Sequence, residues 1–264
     1  MRFTWHGAEI ARPLPIDDEQ AAVFATWLQV VRRTGVPCAL GGAYVVYAFT
    51  GSWRDTKDLD VFVEPADLKT VLDALADAGF ETEVRDRFWL AKAYRGPYLL
   101  DLLFAVRHAT SLRVSAPWFD TCHSAEFLGV PTCLLGPEEV IATKVYVAAH
   151  DRFDGADIVH LVRAAEGRID WRRVIDLLGG DEEILVWHLL LFDFVYPQLE
   201  GYLPTDLMRR TFDRVLDGRG RAFRHRGFRG MLLDPVSFAV DHDLWGYEDT
   251  RVREPLVDAQ GRAL

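Results

Sequence analysis

The stretch that decides how this chain folds is Arg54-Asp55-Thr56-Lys57-Asp58-Leu59-Asp60-Val61, preceded by Gly41-Gly42 with fifteen residues between Gly42 and Asp58. Residues 58–64 alternate in polarity, and in a strand residues i and i+2 share a face. Asp58 and Asp60 are therefore expected to project together, with Leu59, Val61 and Val63 turned into the core. Two carboxylates so close repel unless a cation lies between them, and hard cations such as Mg²⁺ take oxygen ligands. A solvated strand start beside a turn would show the same pattern. Upstream, Cys38-Ala39-Leu40 reads as a short apolar strand and residues 43–50 as a helix. A Gly-Gly pair between them leaves backbone N–H groups for a phosphate, with the helix dipole assisting.

A third acid stands in Tyr98-Leu99-Leu100-Asp101-Leu102-Leu103-Phe104, an apolar run of strand length. Burying a lone carboxylate there is costly without a partner. Coordination of a metal beside Asp58 and Asp60 would supply one; an edge strand that leaves Asp101 to solvent or an arginine would also serve.

Working outward, residues 18–34 predict a helix from the stripe Phe24, Trp27, Leu28 and Val31, stopped by Gly35 and Pro37. What precedes is a Pro-containing lead-in. Pro65 opens a helix at 66–78, closed by Gly79. Strands are expected at 80–85, 90–95, 98–106 and 127–134. Helices are expected from Pro137 to about 150, then at 154–165, 170–178, 182–196 and 204–217. The last forty-odd residues show no clear period. Strands first and helices afterwards imply an α+β fold: a catalytic domain over 1–136, then a mainly helical C-terminal lobe with an irregular tail over 137–264.

Composition narrows the function. The 264 residues carry 40 acidic and 30 basic side chains, a net charge of −10, so a general nucleic-acid coat is excluded. The charge is uneven: Arg209–Arg229 holds eight arginines against Asp213 and Asp217, a local +6 that leaves −16 elsewhere. There are only four lysines, Lys57, Lys69, Lys92 and Lys144. Cys38, Cys122 and Cys133 make no Cys-x-x-Cys pair, which argues against a disulfide framework or zinc ribbon and for a reducing, cytoplasmic setting. No segment has the length and apolarity of a bilayer span or a signal peptide. Walker-type and G-x-G-x-x-G loops are absent, and the histidines show no metal spacing.

Gly41-Gly42, the run Arg54–Asp60 with Thr56 inside it, and the strand acid Asp101 together resemble the DNA polymerase β-like nucleotidyltransferase superfamily. The nearest likeness is to small bacterial members of the abortive-infection and toxin–antitoxin type. Gly136-Pro137-Glu138-Glu139-Val140-Ile141-Ala142-Thr143-Lys144 and Arg152…Asp154-x-x-Asp157-Ile158 extend it, so that it covers roughly residues 36–165. The resemblance implies a small mixed sheet flanked by helices. It implies NMP transfer from an NTP to a hydroxyl on a tRNA end, a protein or a small molecule, with two Mg²⁺ (or Mn²⁺) ions on Asp58, Asp60 and Asp101. Asp101 would also draw the acceptor proton. Gly41, Gly42, Arg54, Thr56, Lys144 and Asp157 would serve the nucleotide, and a cognate antitoxin would be a partner.

Beside that reading stand plainer ones. Lys144 lies on a helix apolar nearly all round, so it either snorkels or faces an anion. Asp154-x-x-Asp157 is also an N-cap arrangement. The Arg209–Arg229 window is either a solvated face or a platform for RNA phosphates. Haloacid-dehalogenase phosphatases and metal-dependent glycosyltransferases place D-x-D after a strand, whereas here the strand follows the acids. A fold of this type that binds nucleotide without turnover, or that modifies an antibiotic, are the alternatives.

Overall fold

The computed structural model describes residues 1–106, 112–217, 227–249 and 251. The N-terminal lead-in is a hairpin, β1 (Arg2–Trp5) and β2 (Ala8–Ala11), closed by His6 and Gly7, both at positive φ. Two such residues in a two-residue loop match the right-handed twist of paired strands. Helix α1 (Asp18–Arg33) follows, its first turn capped by Asp17, which accepts the Gln20 N–H at 2.7 Å. It buries the expected stripe of Phe24, Trp27, Leu28 and Val31.

Next come β3 (Cys38–Leu40), α2 (Gly42–Thr50) and β4 (Asp58–Val63), then a short 3₁₀ turn at Pro65–Asp67 and α3 (Leu68–Asp77). Strands β5 (Glu81–Asp86), β6 (Leu90–Arg95) and β7 (Tyr98–Leu103) form a meander. After α4 (Pro117–Asp120), β8 (His123–Phe127) and β9 (Val130–Leu134) close the set. The run 127–134, expected as one strand, is thus half of a hairpin that turns at Leu128 and Gly129, both at positive φ. All nine strands join one mixed sheet, in the order β2-β1-β8-β9-β3-β4-β7-β6-β5. The expected small sheet is larger because the two hairpins, β1–β2 and β8–β9, extend it on one side. The α+β class itself holds.

The core is laid down by alternation. Leu59, Val61 and Val63 from β4 and Leu100 and Leu102 from β7 are at most 1% exposed. Each fully buried aliphatic side chain contributes roughly 1.5–3 kcal/mol. The cysteine reading needs correction: Cys122 and Cys133 are disulfide-bonded, their Cα atoms 5.8 Å apart, and Cys38 is free. The missing Cys-x-x-Cys spacing did not exclude a pair, because the β8–β9 hairpin brings residues eleven apart into neighbouring positions.

The described chain divides into two compact units, Met1–Gly136 and the residues from Pro137 onward. The second is helical. It contains α5 (Pro137–Lys144), a two-residue ribbon of β10 (Ala148–Ala149) and β11 (Arg152–Phe153), α6 (Gly155–Ala165), α7 (Trp171–Leu178), α8 (Glu182–Val195) and α9 (Thr205–Asp217). Short helices α10 (Gly230–Leu233) and α11 (Ala239–Asp243) lie where no period was legible. Helix α5 stops at Lys144 rather than near 150, because the chain there turns into the ribbon. No helix among the described residues is long and apolar enough to cross a membrane.

Candidate active site

The glycine turn is built against the strand that bears the acids. β3 runs antiparallel to β4, with Leu40 opposite Val61, and the Gly41 N–H continues the ladder by donating to the Asp60 carbonyl at 3.0 Å. The two glycines are needed for different reasons. A Cβ on Gly41 would stand 2.2 Å from a ring carbon of buried Phe62. A Cβ on Gly42, whose φ is +59°, would stand 1.6 Å from Asp60 Oδ2. Gly42 therefore makes the hollow in which the Asp60 carboxylate rests. The Gly41 amide is engaged by the strand, so the N–H groups that remain at this turn are those of Gly42 and the first turn of α2.

β4 runs parallel to β7, and their register sets Asp60 directly beside Asp101, with Asp58 two residues earlier on the same face. The approach to Asp58 is pinned from two helices. Buried Gln20 of α1 donates through Nε2 to the Thr56 carbonyl at 2.7 Å and to the Tyr44 hydroxyl of α2 at 3.3 Å. Thr56 Oγ1 in turn accepts the Asp58 N–H at 3.2 Å. Burial, with Asp58, Asp55 and Asp60 nearby, pushes the Tyr44 phenol far up and keeps it neutral. Trp53 packs edge-on against Tyr44 and Tyr47 and donates to Asp55 at 2.9 Å, anchoring the loop on which Arg54 lies exposed.

Asp101 has a partner that the sequence reading did not assign. Lys92 lies opposite it in the β6–β7 hairpin, and Lys92 Nζ donates to Asp101 Oδ1 at 2.6 Å. Their side chains are 16% and 13% exposed. Burial raises the Asp101 carboxyl above the ordinary carboxylate range, Asp58 adds to the rise, and Lys92 opposes it. The signal was present: a tight turn at Gly96-Pro97 puts Arg95 opposite Tyr98, and counting back puts Lys92 opposite Asp101. Gln20, Tyr44 and Trp53 carry no comparable signal, since only packing brings them to the Thr56 loop.

Asp58, Asp60 and Asp101 offer oxygen donors only, on one face of two adjacent strands, with Gly42 leaving room for one of them. That donor set fits Mg²⁺ or Mn²⁺. As placed, no three His, Cys, Asp or Glu side chains among the described residues close into a metal-holding group. One Asp101 oxygen is on Lys92 instead.

Lys144 and Asp157 belong to the helical unit and to each other. Lys144, 4% exposed, pairs with Asp154 at 2.6 Å and with Asp157 at 2.7 Å. Arg152 adds a two-pronged contact to Asp154, through Nε at 3.0 Å and Nη2 at 2.9 Å. The N-cap reading is not what Asp154 does: it precedes α6 without a side-chain cap bond and spends its oxygens on these cations. Burial alone would raise its carboxyl; Arg152 and Lys144 outweigh burial and hold it well below the usual range.

Of the arginine window, Arg219, Arg221, Arg224 and Arg226 lie outside the described residues. Arg209 and Arg210 are exposed on α9. Arg214 pairs with Glu182 at 2.8 Å and Arg229 with Asp181 at 2.7 Å.

Residues 24–179, more than half of the chain, match a family described as an uncharacterised nucleotidyltransferase family. No curated protein matches the chain. Among solved structures, one similar chain is the antibiotic-resistance factor ANT(2'')-Ia, at 17% identity and a TM-score of 0.45, covering 65% of this chain and 96% of that one. Another is the lincomycin-bound lincosamide antibiotic adenylyltransferase LnuA, at 16% identity and a TM-score of 0.40, covering 55% and 96%. JHP933 from Helicobacter pylori is similar at 16% identity and a TM-score of 0.39, covering 76% and 95%.

Proposed function

The chain belongs to this nucleotidyltransferase family, and on that premise we propose that it transfers an NMP from an NTP to a hydroxyl acceptor at Asp58, Asp60 and Asp101. The observation that carries the reading is the β4–β7 register, which sets Asp60 beside Asp101 while Gly42 receives the Asp60 carboxylate. A turn shaped only for packing would not need a hollow for a carboxylate.

In this scheme the acceptor oxygen bonds to the α-phosphorus, the bond from that phosphorus to the bridging oxygen breaks, and pyrophosphate leaves with the electron pair. The acceptor proton passes to the Asp101 carboxylate, whose affinity for it burial has raised. Two Mg²⁺ or Mn²⁺ ions, when bound by the three acids, supply positive charge to the α-phosphate and to the leaving group. The Gly42 amide and the α2 N-terminus receive the terminal phosphates, the Gly41 amide staying on the strand ladder. Arg54, exposed on its Trp53-anchored loop, adds charge to the same phosphates. Thr56 holds the Asp58 backbone in place. Lys144 and Asp157 enter as the ionic scaffold of the helical unit.

A toxin-type role with a cognate antitoxin is the finer reading that the sequence resemblance adds, and RNA, protein and small molecules are its acceptor classes. Arg209 and Arg210 are the described members of the arginine window that support an RNA acceptor. The test is incubation with each α-labelled NTP, Mg²⁺ and separate pools of tRNA, protein and aminoglycosides. Labelled product in one pool, lost in Asp58→Ala, is the expected result; no labelled product in any pool would overturn turnover on these acceptors.

A further inference from the structure

A row of charged side chains crosses four neighbouring strands at one level: Asp60 on β4, Asp101 on β7, Lys92 on β6 and Glu83 on β5. Paired residues on adjacent strands point to the same face, so the row is continuous. Within it Lys92 is the one cation. Its ammonium is 2.6 Å from Asp101 Oδ1, and both side chains are largely buried. Solvent therefore screens this pair much less than a surface one. On the other side of Lys92, Glu83 is occupied by the Tyr94 hydroxyl.

We infer that Lys92 is a built-in counter-cation for the third carboxylate: it holds Asp101 by Oδ1, leaves Oδ2 for a metal ion or an acceptor proton, and weakens divalent-cation binding in the nucleotide-free protein. The inference rests on the metal-dependent reading above. A divalent ion on Oδ2, at the usual 2.0–2.1 Å or so for Mg²⁺, would sit roughly 5 Å from the Lys92 ammonium, inside the ~8 Å Debye length. Two cations that close repel through partly buried surroundings. A nucleotide bound alongside would bring phosphate charge to offset that repulsion, so ion and nucleotide would bind more tightly together than apart. Lys92 is a positioning residue here; it acts on the reaction through Asp101.

The test is Mn²⁺ binding to the intact, nucleotide-free protein, followed by the electron paramagnetic resonance of the free ion. Lys92→Met removes the charge and keeps much of the stem, and should tighten Mn²⁺ binding about ten-fold. Lys92→Arg keeps the charge and should stay near wild type. A salt bridge that serves only stability would let Lys92→Met lower the melting temperature without tightening the ion. Unchanged or weaker Mn²⁺ binding in Lys92→Met overturns the inference, and so does equal tightening in Lys92→Arg. If Lys92→Met fails to fold by circular dichroism, Lys92→Gln carries the same expectation. Failure of the metal-dependent reading looks different: Asp58→Ala would then leave both Mn²⁺ affinity and label transfer unchanged.

Discussion

Alanine at Gly42 and alanine at Gly41 add the same methyl group one residue apart, yet the structure predicts opposite balances of damage. At Gly42 the new Cβ starts 1.6 Å from Asp60 Oδ2, and real contacts do not go below 3.0 Å, so the carboxylate must swing away by about that difference. The backbone stays at φ +59°, a left-handed conformation that costs a residue with a Cβ roughly 1–2 kcal/mol. Asp60 ends in a flexible carboxylate that can move, so the fold survives. A loss of about that size lowers the melting temperature by roughly 2–4 °C per kcal/mol for a chain near this length. Activity suffers more, since displacing a reacting group by about 1 Å can cost on the order of 100-fold. At Gly41 the Cβ instead meets the Phe62 ring at 2.2 Å, and that ring is buried and stacked on Trp118. Overpacking of this kind costs about 1–3 kcal/mol and falls on stability. Thermal unfolding and the rate of label transfer from an α-labelled NTP, measured on both variants, separate the two effects. Transfer by Gly42→Ala within two-fold or so of wild type would refute the reasoning, because a displacement of this size should not pass unnoticed.

Asp58→Ala and Asp60→Ala should each abolish Mg²⁺-dependent transfer with the circular dichroism spectrum unchanged; wild-type rates in either would remove the metal assignment. Lys144→Met removes the buried cation that Asp154 and Asp157 share, while Arg152 stays on Asp154, and should cost up to about 3–5 kcal/mol, read as a lower urea midpoint. Asp154 sets an acid limit on the helical unit. Its folded-state affinity for protons lies below the unfolded one, so its stabilisation is complete above the ordinary carboxylate range near pH 4 and is lost as pH falls below it. Urea midpoints from pH 6 down to roughly pH 3 should show this loss in the wild type and much less of it in Asp154→Asn. Gln20→Leu, which frees the Thr56 carbonyl and the Tyr44 hydroxyl, should lower transfer several-fold at a stability cost of about 1–2 kcal/mol. Equal transfer rates in wild type and Gln20→Leu would show that the Asp58 approach holds without it.

The period-two alternation of Asp58–Val63 made the face of Asp58 and Asp60 legible, because strand geometry alone sets it. The α1 stripe and the stops at Gly35 and Gly79 were legible for the same local reason. The N-terminal hairpin was not: four-residue strands around His6-Gly7 carry too short a pattern, and they exist because β8 offers them an edge. Leu128 at positive φ hid the second hairpin, since leucine gives no turn signal. The apolar surround of Lys144 marked it as buried, but its partners come from the residues after the ribbon, and ribbon pairing is not a local pattern. Arg214 and Arg229, counted with a basic window, are drawn instead to the acidic start of α8.

By itself the sequence determined which residue types could do phosphate and metal chemistry and on which strand face two of them stand, since these follow from composition and the backbone period. The level of Lys92 opposite Asp101 could be counted from its hairpin turn, but only the tertiary structure decided that Asp101 lies level with Asp60 and that Gly42 is hollowed for a carboxylate. Those are matters of register between strands and of close approach between side chains, set by the packing of the whole sheet rather than by any neighbour in the chain.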